Sequence, residues 1–190
     1  MAELKLTRMT QDEFLEWQQS QDRNYELVDG LPVLPLKAMT GATRGHDRVV
    51  VNILREFANQ LRRKPCQPTT DDLALKIPAG NVRRPDVVVE CGGTDLKETV
   101  ASEPRLVVEV LSPSTMNFDR VRKLDEYKSV PSLRYILLVD TEKPQMTLHV
   151  RDASGWTPHH HETLEATLDL PEIGCRLDAR DVFEGLPFGD

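Results

Sequence analysis

Apolar positions along the chain change period several times, and each change marks an element. Val49, Val50, Ile53, Leu54, Phe57 and Leu61 recur at three- and four-residue spacing, which predicts a helix over about 43–63 with one stripe facing a core. Pro65 closes it. Val87–Val89, Leu106–Val108 and Tyr135–Val139 are short continuous apolar runs bounded by turn residues, the pattern of strands buried on both faces. Between the last two, Asp119–Lys128 reads as an amphipathic helix with Val121, Leu124 and Tyr127 inward. Strand Leu106–Leu111, helix, and strand Tyr135–Val139 then make a βαβ unit with a right-handed crossover.

Shorter signals frame this centre. Thr10-Gln-Asp-Glu13 predicts a capping box and a short helix with Phe14 and Trp17 on one side. Tyr25–Val28 and Leu31–Leu34 flank Asp29-Gly30, a hairpin signal. Leu73, Leu75 and Ile77 alternate ahead of a turn at 78–81. Met146–Val150 and Trp156–His161 around Asp-Ala-Ser-Gly predict a trailing hairpin, and a short helix follows over about 178–183. No internal repeat is present. The expectation is one α/β domain over 1–190 with a mixed sheet. Its core spans about 43–140, with an N-terminal helix and hairpin at 10–34 and an acidic hairpin and helix at 141–190.

Composition narrows the class. At 190 residues, 39% hydrophobic and 29% charged, the chain suits a globular domain. No apolar run reaches the roughly 20 residues of a membrane-spanning helix, and residues 1–9 lack the apolar stretch of a signal peptide. Cys66, Cys91 and Cys175 are odd in number and far apart, which predicts no disulfide framework and no zinc ribbon. Each cysteine is then a small buried hydrophobe in a reduced, cytoplasmic protein. The net charge of −7 argues against a nucleic-acid partner until its distribution is read. All of it falls in the last 51 residues, and the first 139 are neutral. Residues 41–66 carry six basic side chains against two acidic ones, so a phosphate-rich ligand stays in play.

Three carboxylates interrupt apolar strands: Asp86 at the start of Val87–Val89, Glu109 inside Leu106–Leu111, and Glu26 inside Tyr25–Val28. An ionised carboxylate there is costly unless it meets a cation, hydrogen-bond donors or water. Two of them on adjoining strands can share a hard divalent ion. The structural alternative pairs Glu109 with Arg105 or Arg84 and gives Asp86 a turn-capping role. Lys123, on the helix that follows the Glu109 strand, can reach the end of that strand. Arg120, Arg122 and Lys128 compete for that role, and any of the four can be a plain surface residue. His159-His160-His161 cannot all face one metal, because strand neighbours point to opposite sides. No acid or cysteine is spaced to complete a site with them. Trp17 and Trp156 read as packing residues.

Arg84-Pro85-Asp86-Val87-Val88-Val89 and Pro104-Arg105-Leu106-Val107-Val108-Glu109-Val110-Leu111-Ser112-Pro113-Ser114-Thr115 together resemble the Uma2 family of putative restriction endonucleases. Asp119, Lys123 and Tyr127, then Arg134–Asp140, continue the likeness, as do Tyr25–Gly30 and His46 upstream. The resemblance runs from about residue 9 to 183. It implies the restriction-endonuclease-like fold of PD-(D/E)xK nucleases, a mixed central sheet flanked by helices, and a metal-dependent phosphodiesterase site. Asp86 resembles the motif aspartate and Glu109 the motif acid. The position two residues after the acid, where the parent motif has lysine, is Leu111, and Lys123 matches a lysine relocated to the next helix. By this likeness Asp86, Glu109 and the carbonyl of Val110 hold Mg2+ or Mn2+, and Lys123 serves the attacking water. Glu26 holds a water or a second ion. His46 has two readings, a hydrogen bond in the site or a plain helix start. Ser112 reads as a turn former or a donor to Glu109.

The implied activity is hydrolysis of DNA by a divalent-metal-dependent endonuclease. The competing reading is a catalytically silent nucleic-acid-binding or interaction protein on the same scaffold, favoured by the acidic pI of about 5.3. A third is an enzyme for another phosphodiester. By analogy with the fold the protein is a homodimer, with the trailing hairpin as a candidate surface.

Overall fold

The apolar runs form the centre of a six-stranded sheet in a computed structural model that describes residues 8–35, 42–93, 95–111 and 117–188, with backbone only at 117–120. Strands β6 (Val87–Glu90), β7 (Pro104–Leu111) and β8 (Tyr135–Asp140) lie side by side, β6 antiparallel and β8 parallel to β7. β3 (Gln67–Thr70) pairs with β6 at one edge. β9 (Met146–Asp152) and β10 (Gly155–His161) extend the other edge from β8. The sheet is mixed, as the βαβ pattern predicts.

Both faces of the central strands are apolar because alternate residues serve different layers. Val87, Val89, Leu106, Val108, Leu137 and Val139 pack with Val49, Ile53 and Phe57 of helix α2 (Arg44–Gln60). Val88, Val107, Ile136 and Leu138 face Tyr127 of helix α3 (Asn117–Ser129) and Leu133. Burying each of these side chains contributes roughly 1.5–3 kcal/mol before conformational entropy is counted. Thr43 caps α2 through its hydroxyl, which accepts from the His46 amide at 3.2 Å.

A second sheet of four short strands carries the N-terminal segment. β1 (Glu26–Val28) pairs with β2 (Leu31–Val33) and with β5 (Val82–Arg83), and β4 (Leu75–Lys76) pairs with β5. Helix α1 (Gln11–Gln18), with the predicted capping box formed by Thr10 and Glu13, buries Phe14 against Leu27, Ala74 and Val82. Asp29 and Gly30 both take positive φ, 52° and 80°, the turn that matches strand twist in a two-residue hairpin. A ribbon of β11 (Thr167–Leu170) and β12 (Cys175–Asp178), followed by α4 (Ala179–Val182), packs on α2.

Several expectations are corrected. The trailing hairpin forms as β9 and β10, and it also continues the main sheet, because β9 pairs with β8 along five residues. β3 and β5 carry no readable apolar alternation, and β3 tolerates Pro68 because it is an edge strand. Val121 is 59% exposed. It stands six residues, about 120° of helical rotation, from the fully buried Tyr127 and so falls off the inward stripe. Cys66 and Cys91 are joined by a disulfide, and only Cys175 is a free, buried thiol. The antiparallel pairing of Gln67 with Glu90 brings the two cysteines opposite each other at the next position, which a separation of 25 residues conceals. Among the described residues, no helix is long and apolar enough to cross a membrane.

Candidate active site

The two larger sheets meet where the chain leaves β5 and enters β6, and the candidate residues gather at that junction. Pro85 keeps Arg84 extended, and Asp86 then precedes Val87, which stands opposite Val108 on β7. Asp86 therefore meets the C-terminal part of β7. Its Oδ2 accepts the Val110 amide at 2.8 Å and lies 3.3 Å from His46 Nε2, with Asp86 only 5% exposed. His46 reaches it from the first turn of α2.

Glu109 lies on the face of β7 that α3 covers. Lys123 and Tyr127, one turn apart on that helix, converge on it. The Tyr127 hydroxyl donates to Glu109 Oε1 at 2.5 Å, and Lys123 Nζ lies 3.4 Å from the same oxygen. Lys123 Nζ is also 3.2 Å from Glu26 Oε1. Glu26, 3% exposed, accepts further from Arg83 Nη1 at 2.8 Å and from the Arg84 amide at 3.2 Å. Asp86 is thus in contact with His46, and Lys123 with both Glu109 and Glu26. Val110 follows Glu109 in the strand and holds Asp86.

The surroundings tune these groups. Burial pushes the Glu26 carboxyl up, but Lys123 and Arg83 outweigh it and hold the group below its ordinary value, so Glu26 is an anion. Burial, then the negative charges of Glu109 and Glu26, drive the Tyr127 hydroxyl well above its ordinary value and keep it a neutral donor. Glu126, pushed up by burial and down by Arg83, also ends below its ordinary value.

Arg105 pairs with Glu103, and the Arg84 guanidinium donates to the carbonyls of Tyr25, Asp71 and Asp72. Arg122 turns to Asp29 and Glu126. Ser112 and the side chain of Arg120 lie outside the described residues. His160 shares a 3.1 Å contact with Thr147 on β9, away from this cluster. Trp17 and Trp156 pack, the first on Phe14 and Tyr25, the second under Arg151. Arg83 and Glu126 join this cluster without any signal in the sequence, whereas Tyr127 stood on the helical stripe and in the family likeness.

Asp86, just ahead of β6, and Glu109, on β7, carry carboxylate oxygens of the hard kind that Mg2+ and Mn2+ take. Among the described residues no group of three or more His, Cys, Asp or Glu is arranged to hold an ion. Two protein carboxylates, with water and phosphate completing the shell, is how Mg2+ is commonly held.

The same architecture occurs in a crystal structure described as a putative nuclease belonging to DUF820 from Anabaena variabilis. The TM-score is 0.73 at 15% identity, over 94% of this chain and 99% of that one. In sequence, the chain is 32% identical to the uncharacterized protein slr1290 of Synechocystis sp. over 184 residues, covering 95% of this chain and 94% of the relative. It is 28% identical to the uncharacterized protein sll1609 of the same organism over 136 residues, 70% of this chain and 75% of that one. The family model described as Uma2, putative restriction endonuclease, matches residues 11–180, a span that holds Glu26, His46, Asp86, Glu109 and Lys123 together. With its mixed sheet, the restriction-endonuclease-like fold and that match over nearly its whole length, the chain belongs to the Uma2 family.

Proposed function

We propose that this protein is a divalent-metal-dependent endonuclease that hydrolyses phosphodiester bonds of DNA, with Asp86, Glu109 and Lys123 at its centre. The observation that supports the reading is Asp86 bonded to the Val110 amide, next in the strand to Glu109, with Lys123 Nζ 3.4 Å from the Glu109 carboxylate. Asp86, Glu109 and the Val110 carbonyl would hold Mg2+ or Mn2+, which supplies Lewis-acid stabilisation of the phosphate charge.

The chain's own groups do the rest. His46 and the Val110 amide fix the Asp86 carboxylate, and Tyr127 fixes Glu109. Hydrolysis joins a water oxygen to phosphorus, breaks the phosphorus–oxygen ester bond, and transfers a proton to the leaving oxygen. Lys123, held between Glu26 and Glu109, would orient that water and offset charge as it grows on the phosphate oxygens. Cutting both strands together calls for two such sites, so we extend the proposal to a homodimer on DNA.

The test is cleavage of single-stranded, duplex and circular DNA with Mg2+ or Mn2+. Wild type should cut only with metal. Asp86→Ala and Glu109→Ala should abolish cutting while salt-sensitive DNA retention persists. Cutting that survives both substitutions would refute the site, and a folded wild-type protein that neither cuts nor binds metal would refute the enzyme reading.

A further inference from the structure

We infer that Arg83 is a positioning residue of this site: it ties Glu26 of β1 and Glu126 of α3 into one buried ion cluster, and so fixes the helix that presents Lys123 to Glu109. The effect on cleavage rests on the nuclease reading above, whereas the effect on Lys123 does not.

Arg83 is 1% exposed and among the largest fully buried side chains of the protein. Its Nη1 donates to Glu26 Oε2 at 2.8 Å, its Nε to Glu126 Oε2 at 2.5 Å, and its Nη2 to Glu126 Oε1 at 3.1 Å. Glu126 is closed further by Asn81 Nδ2 at 2.7 Å and Arg122 Nε at 3.0 Å. A guanidinium enclosed to this degree is tolerable only with its charge and donors met, and Arg83 meets them with two carboxylates from two different elements.

Those two carboxylates are the anchors of Lys123. Glu126 lies three residues along the same helix and Glu26 holds Lys123 Nζ directly, at 3.2 Å. Against the main sheet, α3 makes apolar contact through Leu124 and Tyr127 with the Ile136 and Leu138 layer. Apolar contact is non-directional and leaves the helix free to slide or turn by a fraction of an ångström. The bidentate Arg83–Glu126 pair is directional, and it fixes the turn of α3 next to Lys123. Lysine at position 83 lacks the planar fork and cannot make the bidentate pair with Glu126, so the conservative exchange should not restore the arrangement.

The test uses the full chain with Arg83→Lys, Arg83→Met and Glu126→Gln. Native protein is labelled briefly with an amine-reactive reagent, and each lysine is read by mass spectrometry. In Arg83→Lys and Glu126→Gln, labelling of Lys123 should rise several-fold while that of Lys97 and Lys143 stays at the wild-type rate. With Mn2+ and duplex DNA, kcat should fall about a hundredfold in Arg83→Lys, the scale of a roughly 1 Å misplacement. KM should stay within about twofold, because Arg83 is sealed from solvent. Unchanged Lys123 labelling and unchanged kcat in folded variants would overturn the inference, and so would a rise at every lysine alike. If Arg83→Met does not fold, the other two variants decide. If wild type cuts no DNA, the nuclease reading falls and the labelling alone decides for or against Arg83.

Discussion

Replacing Tyr127 with phenylalanine isolates one hydrogen bond of the site at almost constant shape. Tyr127 is fully buried, and its hydroxyl donates to Glu109 Oε1. A hydrogen bond to a charged group contributes about 1.5–3 kcal/mol, and part of that returns when the phenol no longer has to be desolvated. Lys123 still faces Glu109 in the variant. The net loss should be about 1 kcal/mol, a fall in Tm of roughly 2–4 °C for a chain of this size. Glu109→Ala should cost more, because it leaves the phenol without its acceptor, at about 1–3 kcal/mol. The double variant escapes that penalty. A double-mutant cycle by urea unfolding should therefore give a coupling of about 2 kcal/mol between the two positions. Independent sites add to within about 0.5 kcal/mol. A coupling below that limit would mean that Tyr127 packs beside Glu109 without holding it.

Three further outcomes are expected. Reducing the Cys66–Cys91 bond should lower stability by about 3 kcal/mol from loop entropy. Thiol titration of the unfolded protein should rise from one to three, and three thiols before reduction would contradict the bond. Glu26 and Glu126 are both held below the unfolded value of about 4.3 by their cations, so their contribution is present above that pH and is lost as pH falls through their lower folded values. The urea midpoint should accordingly drop on acidification below about pH 4.3, and a midpoint that rose instead would reverse the sign of this argument. Val121→Lys, on the exposed side of α3, should change stability by less than about 0.5 kcal/mol in the same assay, and a larger loss would put that helix face against a partner.

The parts of the fold legible in the sequence are those whose pattern is set by one strong local demand. Val87–Val89, Leu106–Val108 and Tyr135–Val139 must be apolar on both sides because a layer covers each face, and the runs show it. Thr10 and Glu13, or Asp29 and Gly30, act within four residues and can be read as words. β3 and β5 could not be read in this way. Gln67–Thr70 is an edge strand whose backbone pairing with β6 supplies its reason, and Val82–Arg83 is two residues long. The disulfide was hidden for the same cause, since pairing register and not spacing brings Cys66 to Cys91.

In the candidate site, the carboxylates announced themselves as charges in apolar strands, whereas Arg83 and Glu126 did not. Glu26 and Arg83 are 57 residues apart, and Arg83 and Glu126 are 43 apart, so no spacing rule links them. Lys123 shows what this costs a motif reading. The strand position two after Glu109 is Leu111, and period-two alternation puts it on the same face as Glu109, the face α3 covers. A lysine arriving from α3 thus enters the same space as one at position 111 would, from above the sheet instead of along it. The substitution of one element for another preserves the charge at Glu109 but changes what sets its place. A lysine at 111 would be positioned by the strand's hydrogen bonds to β8, whereas Lys123 is positioned only as well as its helix is. That difference gives the buried cluster of Arg83, Glu26 and Glu126 a role at this site that a strand-borne lysine would not require.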